Sequence, residues 1–86
     1  RAMRIGRNMR KVIQQLERLG AEFGRPPCLS ELKQSIPEMR PADVSKSLTG
    51  LERYGFVENV GHGHYVLRKT LDGRVVTFAQ HVGLMN

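Results

Sequence analysis

Apolar residues in the first quarter of the chain recur at the spacing of one helical face. They are Met9, Val12, Ile13, Leu16, Leu19 and Phe23. Steps of three and four residues place such side chains on one side of an α-helix, as in an amphipathic helix packed on a core. We therefore predict a first helix over residues 8–22, with Asn8 as its N-cap and Gly20 or Gly24 at its end.

Two shorter helical patterns follow an extended break at residues 25–27, Arg-Pro-Pro. The apolar positions of the second helix are Leu29, Leu32 and Ile36, and those of the third are Val44, Leu48 and Leu51. Pro37 ends the second helix. Pro41 suits the first position of the third, where a missing N–H costs nothing, and Gly55 ends it.

The period changes after the third helix. Residues 56–60 and 64–68 are rich in β-branched and aromatic side chains, which favours two strands. Gly61, His62 and Gly63 lie between them, and glycine supplies the positive φ that a tight turn needs. Three helices followed by a hairpin predict an α+β fold.

The last segment, residues 70–86, fits two structures. Its apolar positions share one helical face, with Thr70 as N-cap and Gly83 as C-cap. Residues 75–78 also suit a strand, and Asp72-Gly73 is a hairpin signal. We favour the helix.

Charge is concentrated at the N-terminus. The chain has a net charge of +6, and residues 1–11 contain no acid but carry Arg1, Arg4, Arg7, Arg10 and Lys11. A basic arm over residues 1–7 suggests a polyanionic partner, with nucleic acid first and a membrane surface second. A solubilising tail is the simpler alternative.

Several classes of function are not expected. No run of about 18 apolar residues is present, so we expect no membrane span. The chain has no glycine-rich phosphate loop, no nucleophile–base signature and no paired carboxylates in a pocket-forming context, so we expect neither an enzyme nor a cofactor. The lone Cys28 fits a small packed side chain in a reducing, intracellular compartment, and we expect a cytoplasmic protein.

The stretch LSELKQSIPEMRPADVSKSLTGLERYGFVENVGHGHYVL, residues 29–67, resembles the DNA-binding domain of bacterial winged helix-turn-helix regulators of the MarR and IclR type. The shared motifs are Ser-Glu-Leu, Val-Ser followed by a basic residue, Leu-x-x-Leu-Glu and Gly-Phe-Val. The resemblance implies a winged-helix domain over residues 8–69 that binds double-stranded DNA in a sequence-specific manner as a transcriptional regulator. We expect a homodimer, with residues 70–86 as a possible dimer contact.

The third helix is the expected reading element of this fold. Lys46 matches the family's basic residue and is the first choice for a base or phosphate contact. Ser45, Thr49 and Arg53 lie on the same outward side of the predicted helix. Arg40, at the helix start, is expected to meet a phosphate.

The hairpin corresponds to the wing of this family, whose tip reaches the flanking DNA. His62 at the tip is therefore a contact candidate, and Arg68 and Lys69 on the return strand are expected to meet phosphates. From the N-terminal arm and the start of the first helix we add the three cations Arg7, Arg10 and Lys11.

The pair His62 and His64 allows two other interpretations, an ordinary exposed turn and a metal site. A metal site needs three or four converging ligands, and the other soft ligands are His81 and Cys28, which nothing in the sequence places nearby. We expect no metal.

Two alternatives to duplex binding stay open. Winged helices also serve as protein-interaction modules within larger complexes. RNA or single-stranded binding would need exposed aromatic side chains, and we expect the three nearest ones in the core: Tyr54, Phe56 and Tyr65.

Overall fold

The computed structural model describes residues 5–83 as an α+β domain, with four helices and one two-stranded antiparallel hairpin in that range. The elements are α1 (Arg7–Phe23), α2 (Leu29–Ser35), α3 (Pro41–Arg53), β1 (Val57–Gly61), β2 (His64–Leu67) and α4 (Phe78–His81). The first four residues of the predicted basic arm and the last three of the C-terminal segment lie outside the described residues. No described helix is long and apolar enough to cross a membrane.

Helix α1 begins one residue earlier than predicted. Its N-cap is Gly6, whose φ of −75° and ψ of 172° are extended, and the predicted cap Asn8 is wrong because Asn8 already lies in the first turn. Gly24 ends the helix in the left-handed conformation, with its N–H donating to the carbonyl of Gly20 at 3.0 Å. Gly20 therefore lies inside the helix, where it is buried.

The apolar faces predicted for the three N-terminal helices meet in one core, except at Phe23, which is 37% exposed. It closes against the hairpin through Phe56, Val57 and Leu67. The other members come from the three helices and from the connection between α2 and α3: Val12, Ile13, Leu16, Leu19, Leu32, Ile36, Met39, Val44, Leu48 and Leu51. Burying each leucine or isoleucine is worth roughly 1.5–3 kcal/mol, so this core supplies most of the drive to fold.

The hairpin has the predicted limits to within about one residue. Register runs from Val57 opposite Leu67 to Gly61 opposite His64, with an irregularity between Asn59 and Gly61 that leaves one extra residue on β1. The segment at residues 27–29 adds a third extended stretch beside β2. Two backbone hydrogen bonds of 2.9 Å hold it there. The Leu29 N–H donates to the carbonyl of Gly63, and the Tyr65 N–H donates to the carbonyl of Pro27.

The favoured helix from residue 70 is wrong over its first part. Thr70 is not an N-cap, because residues 70–74 turn back on themselves: the Thr70 N–H donates to the carbonyl of Arg74 at 2.8 Å. Gly73 takes a φ of 87°, which an L-residue rarely adopts. The turn pairs Lys69 with Val75 in an isolated β-bridge. The Asp-Gly hairpin signal thus outweighs the helical period here.

Helix α4 is a single turn that begins only after Thr77. The Thr77 hydroxyl accepts from the Gln80 N–H at 3.1 Å, and the Gln80 side chain accepts from the Thr77 N–H at 2.9 Å. This reciprocal capping box fixes the helix start. The C-cap is Val82, and Gly83, the predicted cap, follows one residue later with a φ of 73°.

Candidate nucleic-acid interface

The outward side of α3 carries short polar and basic side chains. Lys46, Thr49 and Arg53 are exposed and Ser45 is half-buried, while the opposite side of the helix is buried in the core. The Thr49 hydroxyl donates to the carbonyl of Ser45 at 3.1 Å, which holds that side chain against the helix. The outward surface of α3 is therefore polar and consists mainly of short side chains, with Lys46 and Arg53 as the long ones.

A cleft of about 540 Å³ separates the start of α1 from the first half of α3. Its lining residues are Gly6, Arg7, Asn8, Met9, Asp43, Lys46 and Ser47. The fold thus brings Arg7 and Lys46, which are far apart in the sequence, to one depression. Asn8 joins them, although the sequence suggested only a capping role for it. Its exposed position follows once Gly6 is the cap.

Ion pairs neutralise part of the predicted contact surface. Three predicted cations lie within 4 Å of a carboxylate, and all six side chains are at least one third exposed. The pairs are Lys11–Glu38 at 3.6 Å, Arg40–Asp43 at 3.6 Å and Arg68–Glu58 at 3.5 Å. Such exposed pairs are weak, about 0–1 kcal/mol, so they reduce the local positive potential without removing the side chains from reach.

The remaining predicted helical cations have no acidic partner among residues 5–83. These are Arg7 and Arg10 at the start of α1 and Lys46 and Arg53 on α3, and all four are exposed. Among residues 5–83, these exposed cations without an acidic partner lie at the start of α1 and along the outward side of α3. Arg10 lies one turn beyond Arg7 and extends this surface along α1.

The hairpin turn places His62 at its tip. His62 has a φ of 54° and Gly63 a φ of 71°, so both central residues are left-handed, as in the turns that match strand twist. His62 is exposed, and the neighbouring Val60 is 48% exposed. Lys69 instead turns inward over the ring of Phe56, 5.9 Å from its centroid, and is half-buried. Arg68 and Lys69 were predicted on the return strand but follow the end of β2, so it is the base of the hairpin that is less basic than the sequence suggested.

His64, the other histidine of the hairpin, contacts the backbone next to it. It is half-buried, its Nδ1 lies 3.3 Å from the Gly61 carbonyl, and its backbone pairs with that of Cys28. Within residues 5–83 no three histidine, cysteine or acidic side chains converge as metal ligands. His81 lies elsewhere, buried between α1 and β2.

The aromatic side chains near this surface differ in exposure. Phe56 is buried and Tyr65 half-buried, as expected, but Tyr54 is 38% exposed, so its predicted core position is wrong. Tyr54 follows the last turn of α3, and the chain then reverses at Gly55 with a φ of 81°. That change of direction takes the ring out of the core.

The buried position of His81 was not predicted. Its signal in the sequence is Gly20, which stands four residues after Leu16 on the apolar face of α1. A glycine in a buried helical face marks a place where another group approaches the backbone closely. No pattern identified which group that is.

Comparison with known proteins adds no further identification. No family model, curated protein or solved structure matches the chain. The resemblance of residues 29–67 to winged-helix regulators stays a prediction, supported by its motifs and by the order of the elements.

Proposed function

We propose that this chain is a winged-helix domain that binds double-stranded DNA in a sequence-specific manner, as a transcriptional regulator does. The order of three helices and a hairpin is that of the winged helix-turn-helix class. The pairing of residues 27–29 with β2 supports the assignment, because it ties the hairpin to the start of α2. β1 in turn packs on α3, which sets the wing beside the proposed reading helix.

The observation that carries this proposal is the outward side of α3 with the cleft beside it. A helix with short polar side chains fits the major groove, about 12 Å wide, and can approach base edges closely. Lys46 and Ser45 then donate to bases or phosphates. Arg7 at the start of α1 and Arg53 at the end of α3 meet the DNA backbone, and His62 contacts the flanking duplex.

A homodimer on DNA completes the proposal. One module of this size contacts few base pairs, and two copies related by a two-fold axis read two half-sites about one helical turn apart. Selection of bound sequences from random duplexes is then expected to yield inverted half-sites.

The test is the affinity of the Lys46→Ala protein for the selected duplex, measured by fluorescence anisotropy at about 50 mM salt, where phosphate contacts are strong. We expect a loss of about tenfold or more, because a helix contact to DNA is worth on the order of 1–3 kcal/mol. Arg18→Ala removes the same charge from the far part of α1, where Arg18 pairs with Glu22 at 2.7 Å. It serves as the matched control.

A second function, a protein-interaction module, is favoured by the charge of α3 itself. Asp43 and Glu52 cancel Lys46 and Arg53 within the helix, and Tyr54 is exposed at its end. Absence of measurable duplex binding would exclude the DNA proposal and leave this one. Equal affinities of the Lys46 and Arg18 variants would exclude α3 as the helix that contacts the duplex.

A further inference from the structure

The C-terminal segment, residues 77–83, is attached through two buried side chains. His81 is 2% exposed and Val82 is 1% exposed, whereas Phe78 and Gln80 point to solvent. The main core contains no member of this segment. Its attachment to the domain therefore depends on few contacts, and the imidazole of His81 is the central one.

Both ring nitrogens of His81 are used. Nε2 lies 2.7 Å from the carbonyl oxygen of Leu16 in α1, and Nδ1 lies 3.2 Å from the backbone nitrogen of Leu67 in β2. A carbonyl only accepts and an amide N–H only donates, so Nε2 carries the proton and Nδ1 is the acceptor. The ring that joins the two elements is therefore neutral.

The ring fits only because α1 has a glycine beneath it. A Cβ on Gly20 would overlap the imidazole at Nε2, Cδ2 and Cε1. Gly83 packs near the next residue of α1: a Cβ atom added to Gly83 would lie 3.5 Å from the carbonyl oxygen of Ala21. Residues 77–83 therefore pack on the turn of α1 that contains Gly20 and Ala21, where the small side chains allow a close approach.

We propose that His81 is a proton-operated clasp: the neutral ring holds residues 77–83 on α1 and β2, and protonation releases them while the core stays folded. A proton on Nδ1 would face the Leu67 N–H, so one of the two bonds is lost at once. A charged ring would also be buried where little water reaches it.

The charged groups around the ring change the preference for the neutral form of His81 without reversing it. Glu17 of α1 and Arg74 of the preceding turn line a cavity of about 270 Å³ next to His81. The titratable residues of β2, His64 and Tyr65, lie toward the hairpin turn, and α4 has no other titratable side chain. Burial lowers the pKa of His81 from its usual 6.5, although the Leu16 carbonyl and Glu17 both favour the charged form.

The pH dependence of release follows from the direction of this shift. The released segment takes up a proton near pH 6.5, whereas the bound one does so only at lower pH. Release is therefore independent of pH above about 6.5 and grows by up to about tenfold per pH unit below it, until the bound form also titrates.

Backbone amide NMR of the whole chain from pH 7.5 to pH 4 tests the clasp. We expect the hydrogen-bonded amides of Gln80 and Val82 to move toward random-coil shifts and lose exchange protection, while those of Val44 and Leu48 keep their native shifts. Loss of both groups of signals at one midpoint would show global unfolding and overturn the proposal. So would native C-terminal shifts throughout.

Gly20→Ala separates the clasp from general acid sensitivity. It is expected to release residues 77–83 at pH 7.5 with native core signals, because the methyl group takes the position of the ring. Gly50→Ala, in α3, is the matched control, since its Cβ would meet only the flexible end of Met9. A C-terminal segment that stays bound in Gly20→Ala would also contradict the proposal. A second control is His64→Gln, which is expected to leave the pH dependence of release unchanged.

Discussion

A single carboxylate organises the start of α2. Glu31 accepts from the Cys28 N–H at 2.8 Å and from both terminal nitrogens of Arg25, at 2.6 and 3.0 Å. The Arg25 bond, followed by the backbone bond from Cys28, lowers the pKa of Glu31 from its usual 4.5 to about 2. The ionised form is thus the one that the fold stabilises, and the same residue closes the turn between α1 and α2.

We predict that Glu31→Ala lowers the free energy of unfolding at pH 7 by about 1 kcal/mol, the usual value of a helix cap. Because the pKa of Glu31 is lowered in the folded state, its contribution is complete above pH 4.5 and disappears as the pH falls toward 2. Urea denaturation at pH 7, 4 and 2.5 measures this. Glu31→Gln, which keeps an acceptor for Cys28, is expected to lose less at pH 7. A difference between wild type and Glu31→Ala that stayed constant down to pH 2.5 would contradict the assignment.

At the scale of an element, the hairpin depends on its two-residue turn. The glycines on either side of His62 were recognisable as turn residues, but the left-handed conformation of His62 itself was not. It follows from the pairing of Gly61 with His64, which leaves only residues 62 and 63 to reverse the chain. His62 and His64, which resemble a pair of metal ligands in the sequence, are therefore a turn residue and the first residue of β2.

We predict that His62→Val lowers stability by about 1–2 kcal/mol, because a β-branched side chain is strongly disfavoured at positive φ. His62→Asn is the control: asparagine tolerates this conformation, so its stability should equal or exceed that of the wild type. Chemical denaturation at pH 7.5 compares the two. Equal stabilities for the valine and asparagine variants would be inconsistent with the turn.

At the scale of the whole molecule, charge and fold act together. Outside the terminal residues, 12 basic and eight acidic side chains leave a net charge of +4, counted over residues 5–83. Six of those cations are paired with acids. The pairing leaves Arg7, Arg10, Lys46 and Arg53 as the exposed cations near the cleft and α3. The fold therefore determines where the unpaired positive charge lies, because it places some basic side chains beside acidic ones and leaves others alone.

If the chain binds duplex DNA as proposed, these four cations set its salt dependence. With about 0.9 of a counterion released per phosphate contact, log K against log salt is expected to fall with a slope of about −3 to −4 for each protomer on the DNA. The double variant Arg7→Ala/Lys46→Ala should reduce the steepness of this slope by about 2. Anisotropy titrations at salt concentrations from about 50 to about 200 mM measure it. An unchanged slope in the double variant would place the phosphate contacts elsewhere.

The sequence by itself determined the elements whose signals are local. The apolar periods of α1, α2 and α3, Pro41 at the start of α3 and the glycines of the hairpin predicted these elements to within about two residues. Each depends on backbone preferences and side-chain spacing within a dozen residues, which no distant contact overrides here.

Tertiary structure alone decided the rest. Residues 70–83 carry a helical period and a turn signal at once, and the outcome depended on the pairing of Lys69 with Val75 and the seating of His81 on Gly20. The cleft between Arg7 and Lys46 likewise exists only when α1 and α3 pack together. Such features join residues that are distant in the chain, and a close approach between them is set by packing, which no local pattern encodes.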